Sequence, residues 1–501
     1  MSIDLSNVSI DLLPKRIRSY DDVKKLKKAL GKQGVKVNVP DLLGLSRSND
    51  PFYFGSDGDK ISAEWIAEKL NYVGLNIPGI HIRRPHYRFV VQPEPIKRWD
   101  KKTDYQNDAN SWAALNRSTK SARYLGTVDV ENFEDHRNPK PDVFMEPNSV
   151  PQPSINKHLD YWNWDLPEIR FEFNDAMDWY LPYMTVEGYQ YSTSDQPVVI
   201  EVWIEKSTLN NVVVPLCEKY ALNFVCGIGF QSITGAIGAL KRIENFASHG
   251  NQKPLRIFYL SDFDPGGVMM PVGIARQIEY WIDRYTTNAD IKLTSLALTE
   301  DQVKSYTKLV TSPIKSTDKR MKKFQERYNV DGAIEIDALE EIYPGELEKI
   351  ITNAVIPYRD MELAGKLNNA YREADSLVDE TWEDDKKRFE ESRDEIKKRA
   401  LAITDKYKDE LKAIADRIQK DFDDSGIQNE IDDLRNEISE AINDFDVELP
   451  ERPMAIIDIP DESNWLYDSG RSYLEQLQFY HDRRNGFDVD NDDVECLEDA
   501  A

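Results

Sequence analysis

Between residues 197 and 355 the chain alternates short apolar runs with longer amphipathic ones, and no other feature restricts the fold as tightly. VVIEVWI, LNFVCGI, PLRIFYLSDFD and DIKLTSLAL have the length and β-branched or aromatic content of buried strands. STLNNVVVPLCEKYA, ITGAIGALKRIENFA and VMMPVGIARQIEYWIDRY carry apolar residues at helical spacing between them, and AIEIDALEEIYPGELEKIITNAV reads as a last strand and helix. Such alternation predicts a mostly parallel α/β sheet covered by helices.

The polar residues of this segment fall where such a sheet binds ligands. The first strand ends in Glu205-Lys206 and the third in Ser261-Asp262-Phe263-Asp264-Pro265-Gly266-Gly267. If the two strands are neighbours, both acidic groups lie at the C-terminal edge of the sheet. Asp262 and Asp264, two apart on extended backbone, point to one side. With Glu205 they supply three carboxylates whose mutual repulsion a hard divalent cation relieves, and an all-oxygen set suits Mg²⁺. Mg²⁺ held this way commonly serves phosphoryl transfer. Gly266 and Gly267 permit close approach of backbone or phosphate. Downstream, Asp337 and Glu340 read as a capping box, with Asp337 as the cap. Glu335 is open between a metal ligand and a helix start.

The net charge of −26 argues against a nucleic-acid partner until its distribution is read. Residues 1–150 carry a net +4, 151–350 a net −8 and 351–501 a net −22, so the acidity sits mainly in the C-terminal third. By composition the chain divides into a basic N-terminal segment (1–60), a small module (61–140), a Pro- and Asn-rich connector (141–196), the α/β domain (197–355), a charged helical or coiled-coil-like region (362–445) and a C-terminal segment with an acidic tail (446–501). In the first, Ser19 or Asp21 caps a Lys-rich helix. In the second, ISAEWIAEKLNYVGL reads as a helix, HYRFVV as a strand and SWAALNRSTKSARYLG as a second helix. The second helix places Arg117, Lys120 and Arg123 three apart, on similar faces. Helix, strand and basic helix suit a winged-helix-like DNA-binding module, and equally other small α+β units. The region 362–445 is too irregular to assign heptads.

No G-x-x-x-x-G-K-[ST] loop and no HExxH occurs, which removes the usual signatures of an ATPase or a zinc protease. Cys217, Cys226 and Cys496 form no CxxC pair, so a cytoplasmic setting is expected. No apolar run reaches the roughly 18 residues of a membrane span, and no secretory signal is visible.

VVIEVWIEK, GIGF and IFYLSDFDPGG resemble the Toprim domain shared by topoisomerases, primases and some nucleases. The form Asp264-Pro265-Gly266-Gly267 resembles more closely the A subunit of DNA topoisomerase VI and the related transesterase that makes meiotic double-strand breaks. Gly227-Ile228-Gly229 stands where that family has a Gly-x-Gly turn, with Phe230 and Gln231 in place of the following proline. NDPFYFG, RRPHYRFV, ARYLG, DHRNPKP, EVWIEKST, DFDPGG and EIDAL, over residues 49–339, also resemble a group of bacterial, archaeal and mobile-element proteins with this layout.

The resemblance implies a winged-helix domain ahead of Toprim, carrying a nucleophilic tyrosine in an R-x-x-[FY]-Y-type motif. Arg83-Arg84-Pro85-His86-Tyr87-Arg88 matches it with Arg83 and Tyr87, while His86 replaces the usual aromatic and Pro85 stiffens the turn. Tyr87 is then the nucleophile. Arg83, Arg84 or Arg88 would favour its phenolate and contact DNA, and His86 could assist proton removal. Glu205, Asp262 and Asp264 are the implied Mg²⁺ ligands, with Lys206 a catalytic cation. The implied partners are double-stranded DNA, a second copy of the chain in a homodimer, and a separate ATPase or other protein. Two other readings compete: a Toprim nuclease using water, as in plasmid or phage defence, with Tyr87 structural; and a non-enzymatic interaction protein. The acidic C-terminal third is a candidate DNA mimic covering the basic N-terminal surface.

Overall fold

The structure is a computed structural model that describes residues 9, 13–14, 16–134, 138–159, 164, 166, 179–227, 233–286, 288–312, 320–407 and 411–484. The chain forms two compact units, one of Met1–Ser149, Gln196–Asp360 and Ile456–Ala501, the other of Val150–Asp195 and Met361–Ala455.

The first unit is built on a five-stranded sheet. Its strands are β1 (Val199–Ile204), β2 (Asn223–Cys226), β3 (Leu255–Leu260), β4 (Ile291–Ala297) and β5 (Tyr467–Asp468), in spatial order β2-β1-β3-β4-β5. β1 pairs in parallel with β2 and β3, and β3 with β4, while β5 is antiparallel to β4. Every residue of β1, β2 and β3 is buried, as expected of parallel strands covered on both faces. Glu201 is tolerated inside β1 because Arg242 donates to both its oxygens at 2.7 and 2.8 Å and Trp203 Nε1 donates at 2.8 Å. In place of the expected last strand of the α/β segment stand two isolated bridges, Ser312↔Ala333 and Phe263↔Ile334, followed by the helices Ile336–Ile342 and Glu346–Val355.

A three-helix module precedes the sheet, with its own core around Ile66, Leu70, Phe89 and Leu115. Its helices are Asp57–Tyr72, capped by Ser56 with Asp59 in a capping box, Arg83–Val90, and Ala109–Leu125, capped by Asp108 and ended by left-handed Gly126. HYRFVV is therefore helix, not strand. Pro85 lies in the first turn, where its missing N–H costs no bond, and the buried residues Pro85, His86 and Phe89 are at helical spacing. Ahead of the module, Ser19 caps the helix Tyr20–Lys32, where Lys24 and Lys25 pair with Asp21 and Asp22 one turn back.

Arg276 ties the chain's ends to this body. Fully buried, it bonds Asp50 Oδ2 at 2.9 Å, Glu279 Oε2 at 2.7 Å and the Tyr473 hydroxyl at 2.6 Å, and its guanidinium lies over the Phe52 ring. Tyr473 and Tyr480 belong to the helix Tyr473–Arg484, so the segment expected as one C-terminal piece from 446 divides near residue 455.

The second unit corrects a further expectation. Residues 150–195 are not a connector: Ser154–His158 and Tyr183–Glu187 form an antiparallel hairpin, and Trp164 and Trp179 enter a core with the helical region. That region is the helices Leu363–Asp405, Leu411–Ser425 and Ile427–Asp444. Trp382, Phe389 and Ile396 recur every seven residues along the first, facing the buried stripe Ile427, Ile431, Leu434, Ile438 and Ile442 of the last. Arg399 pairs with Glu430 and Arg388 with Glu437 across the seam.

Candidate acidic site at the sheet edge

Because β2 and β3 lie on opposite sides of β1, the connections leave β1 and β3 in opposite directions. The crevice beyond their C-terminal ends is the switch point at which open α/β sheets bind ligands. Ile204 is in register with Leu260, and the Glu205 N–H donates to the Leu260 carbonyl at 3.1 Å. Glu205 and Asp262 therefore meet at this edge, with the Asp262 N–H 3.4 Å from Glu205 Oε2.

Asp262 is buried and held at both oxygens. The Ile336 N–H donates to Oδ1 at 2.9 Å, and Lys206 Nζ lies 2.7 Å from Oδ2. Lys206 also pairs with Glu335 at 3.1 Å and Asp337 at 3.6 Å. Asp337 is thus not a helix cap. Glu335 takes the N-cap position without a side-chain cap bond, and Glu340 accepts from the Gly345 N–H. The Phe263↔Ile334 bridge brings these two carboxylates to the site. The sequence signal was the second acidic alternation, Glu335-Ile336-Asp337, matching Asp262-Phe263-Asp264.

Asp264 Oδ1 accepts from the Gly267 N–H of its own loop at 2.6 Å. Gly267 is required here, since a Cβ would stand 2.1 Å from the Asp262 carbonyl oxygen.

Burial, then the nearby Asp262 and Asp264 charges, push the Glu205 carboxyl up to about 7. Burial also raises Asp262, against the opposing bonds from Lys206 and the Ile336 N–H. For Lys206 burial favours the neutral amine, but its bonds to Asp262 and Glu335 prevail and raise it. As the side chains stand, the shared cation is the Lys206 ammonium, and among the described residues no three His, Cys, Asp or Glu side chains are arranged to hold a metal ion. The chemistry of the donors nonetheless suits a hard divalent cation, since Glu205, Asp262 and Asp264 offer only carboxylate oxygens and lie near enough for their charges to act on one another.

The helix Arg83–Val90 turns Arg83, Arg84, Tyr87 and Arg88 to solvent, so Tyr87, 56% exposed, is no core tyrosine. Among the described residues none of the three guanidiniums has an ion-pair partner. His86 faces inward, bonded through Nδ1 to the Tyr105 hydroxyl at 2.7 Å and through Nε2 to Asn107 at 3.1 Å, and cannot take a proton from Tyr87. Of the second basic set only Arg117 is exposed, and it pairs with Asp59 at 3.3 Å. Lys120 is half-buried, 3.5 Å from the Ser48 carbonyl, and Arg123 is buried against the Phe133 ring. These three form no common phosphate-facing surface. The turn at Gly227-Ile228-Gly229 lies outside the described residues after Gly227, as does the acidic tail beyond residue 484.

No protein-family model matches the chain, and no curated protein is significantly similar to it. Among the described residues no helix is long and apolar enough to cross a membrane. Fold and site together define a mixed α/β protein with a mostly parallel five-stranded sheet and an acidic cluster at its switch point.

Proposed function

We propose that the chain is a Toprim-type, DNA topoisomerase VI A-like enzyme that cuts double-stranded DNA with Mg²⁺. The observation that carries this reading is the meeting of Glu205 and Asp262 at the ends of adjacent parallel strands. Glu205, Asp262 and Asp264 would hold the ion, which when bound supplies charge neutralisation at a phosphodiester and its leaving oxygen. The three-helix module takes the place of the winged-helix domain. Its exposed Arg83, Arg84 and Arg88, unpaired among the described residues, grip phosphates beside the exposed Tyr87, whose hydroxyl attacks. In that step a bond forms between Tyr87 Oη and phosphorus, the bond from phosphorus to the departing sugar oxygen breaks, the phenolic proton leaves to solvent, and solvent returns a proton to the sugar oxygen. A homodimer in which the tyrosine of one copy serves the acidic site of the other, and a separate ATPase partner, complete the family's arrangement.

One observation favours a second reading, hydrolysis by water: with His86 turned inward, Tyr87 has no adjacent base. Supercoiled plasmid incubated with protein and Mg²⁺, quenched with detergent and scored with and without protease, separates the two. Ends trapped on protein and lost in both Tyr87→Phe and Asp262→Ala support transesterification. Free ends that persist in Tyr87→Phe but not Asp262→Ala support hydrolysis, and no cleavage by the wild type with any added DNA overturns both.

A further inference from the structure

Lys206 Nζ stands between one buried acid and two more exposed ones. It lies 2.7 Å from Asp262 Oδ2, 3.1 Å from Glu335 Oε2 and 3.6 Å from Asp337 Oδ2. The Asp262 side chain is 7% exposed, that of Asp337 30% and that of Glu335 51%. Asp262 Oδ1 is already engaged by the Ile336 N–H at 2.9 Å, so Oδ2 is the oxygen with which Asp262 meets a cation. Ile336, which gives that bond, sits in the chain between Glu335 and Asp337 and is fully buried. The residue just ahead of Glu335 is tied to the acidic loop by two backbone bonds between Phe263 and Ile334, at 2.8 and 3.1 Å. One short segment therefore both fixes Asp262 and sets two further carboxylates against the lysine that pairs with it.

We propose that Glu335 and Asp337 are positioning residues, which keep Lys206 at the acidic site when a divalent cation occupies it. The proposal rests on the metal reading given above and not on DNA cleavage. An ammonium and a divalent ion on one buried carboxylate oxygen repel each other strongly. Lys206 therefore yields Asp262 Oδ2 to the ion. A lysine paired with Asp262 alone would lose its place at the site in doing so. Lys206 is already within ion-pair distance of Glu335 and Asp337, and it stays on these two after it lets go of Asp262. The order of exposure favours the move: it takes the ammonium from the buried acid toward the better solvated pair, so no charge is newly stripped of water. A positive side chain thus remains at the edge of the sheet for an anionic substrate.

The test is calorimetric titration of the full chain with Mg²⁺, in the absence of DNA. It compares the wild type, Lys206→Met, the pair Glu335→Gln and Asp337→Asn, and all of these substitutions together. With Lys206 present, loss of the two carboxylates is expected to weaken Mg²⁺ binding by about fivefold, because the ammonium has no second place to go. In the Lys206→Met background the same loss is expected to change binding by less than about twofold. An equal or larger loss in that background would mean that the two carboxylates act on the ion directly. No loss with Lys206 present would mean that they do not hold the lysine. Either result overturns the proposal while leaving the metal site in place. If the paired substitutions do not fold, Glu335→Gln alone, at the most exposed of the three acids, makes the same comparison. Failure of Mg²⁺ to bind both the wild type and Lys206→Met would overturn the metal site itself, and this proposal with it.

Discussion

Lys206 Nζ stands 2.7 Å from Asp262 Oδ2, so the residue two places past β1 neutralises the residue two places past β3. The same ammonium gathers Glu335 and Asp337 from a segment more than seventy residues downstream of Asp262. Lys206 thus holds the acidic edge together with a cation the protein itself supplies.

Lys206→Met removes that cation while keeping most of the side-chain volume. Asp262 then retains only the Ile336 N–H against its burial, and a loss of about 2 kcal/mol is expected in urea unfolding. Millimolar Mg²⁺ is expected to raise the melting temperature of this variant more than that of the wild type, because the same oxygens become free to bind it. If Mg²⁺ moves neither melting curve, the carboxylates are not a metal site.

Gly267→Ala tests the loop without touching a charge. A Cβ 2.1 Å from the Asp262 carbonyl forces the backbone apart where Asp264 also receives the Gly267 N–H. A destabilisation of about 1–3 kcal/mol is expected, with cleavage lost beyond what unfolding explains. Wild-type cleavage per folded molecule would show that the loop does not position the acids.

The sheet was legible because each parallel strand is a nearly unbroken apolar run, and Glu205 and Asp262 were legible because such runs end where chemistry sits. The reading failed where a local pattern had two solutions or its partner was distant. Phe89-Val90-Val91 suggests a strand, but Pro85, His86 and Phe89 bury one helical face. Arg123 has the spacing of a surface residue, yet the fold turns it against Phe133. Residues 150–195 looked like a connector because Trp164 and Trp179 find their core partners only at Trp382 and beyond. Asp337 reads as a local cap, and Glu335 stays open, because nothing in the sequence shows that Ile334 bridges to Phe263.

The two sets of basic residues are expected to behave differently. Arg84→Ala removes an exposed, unpaired cation and should lower the slope of log K against log salt for DNA binding by about 0.9, with stability unchanged. Arg123→Ala removes a buried one and should lower stability by about 1 kcal/mol or more while leaving the slope alone. Equal slopes in wild type and Arg84→Ala would take the Arg83–Val90 helix out of any DNA interface.

The C-terminal return to the sheet should be sensitive to acid through Glu462. This buried carboxylate accepts from Arg256 Nε at 2.5 Å and the Tyr358 hydroxyl at 2.8 Å, and pairs with Lys292 at 3.0 Å. Burial alone would raise its pKa, but these three bonds overcome burial and hold it below the usual value. The unfolded chain therefore binds this proton more readily than the folded one, and stability rises with pH across the window. The contribution is complete above the unfolded pKa of about 4.3 and is lost as pH falls through the lower folded value. Glu462→Gln keeps the shape but leaves Arg256, among the described residues, with Asp290 as its one remaining carboxylate. It is expected to cost about 3 kcal/mol near neutral pH, measured by urea unfolding, and progressively less below about pH 4 as the wild-type carboxyl is protonated. A difference between wild type and variant that stays constant down to about pH 2 would mean that Glu462 holds the C-terminal segment by shape rather than by charge.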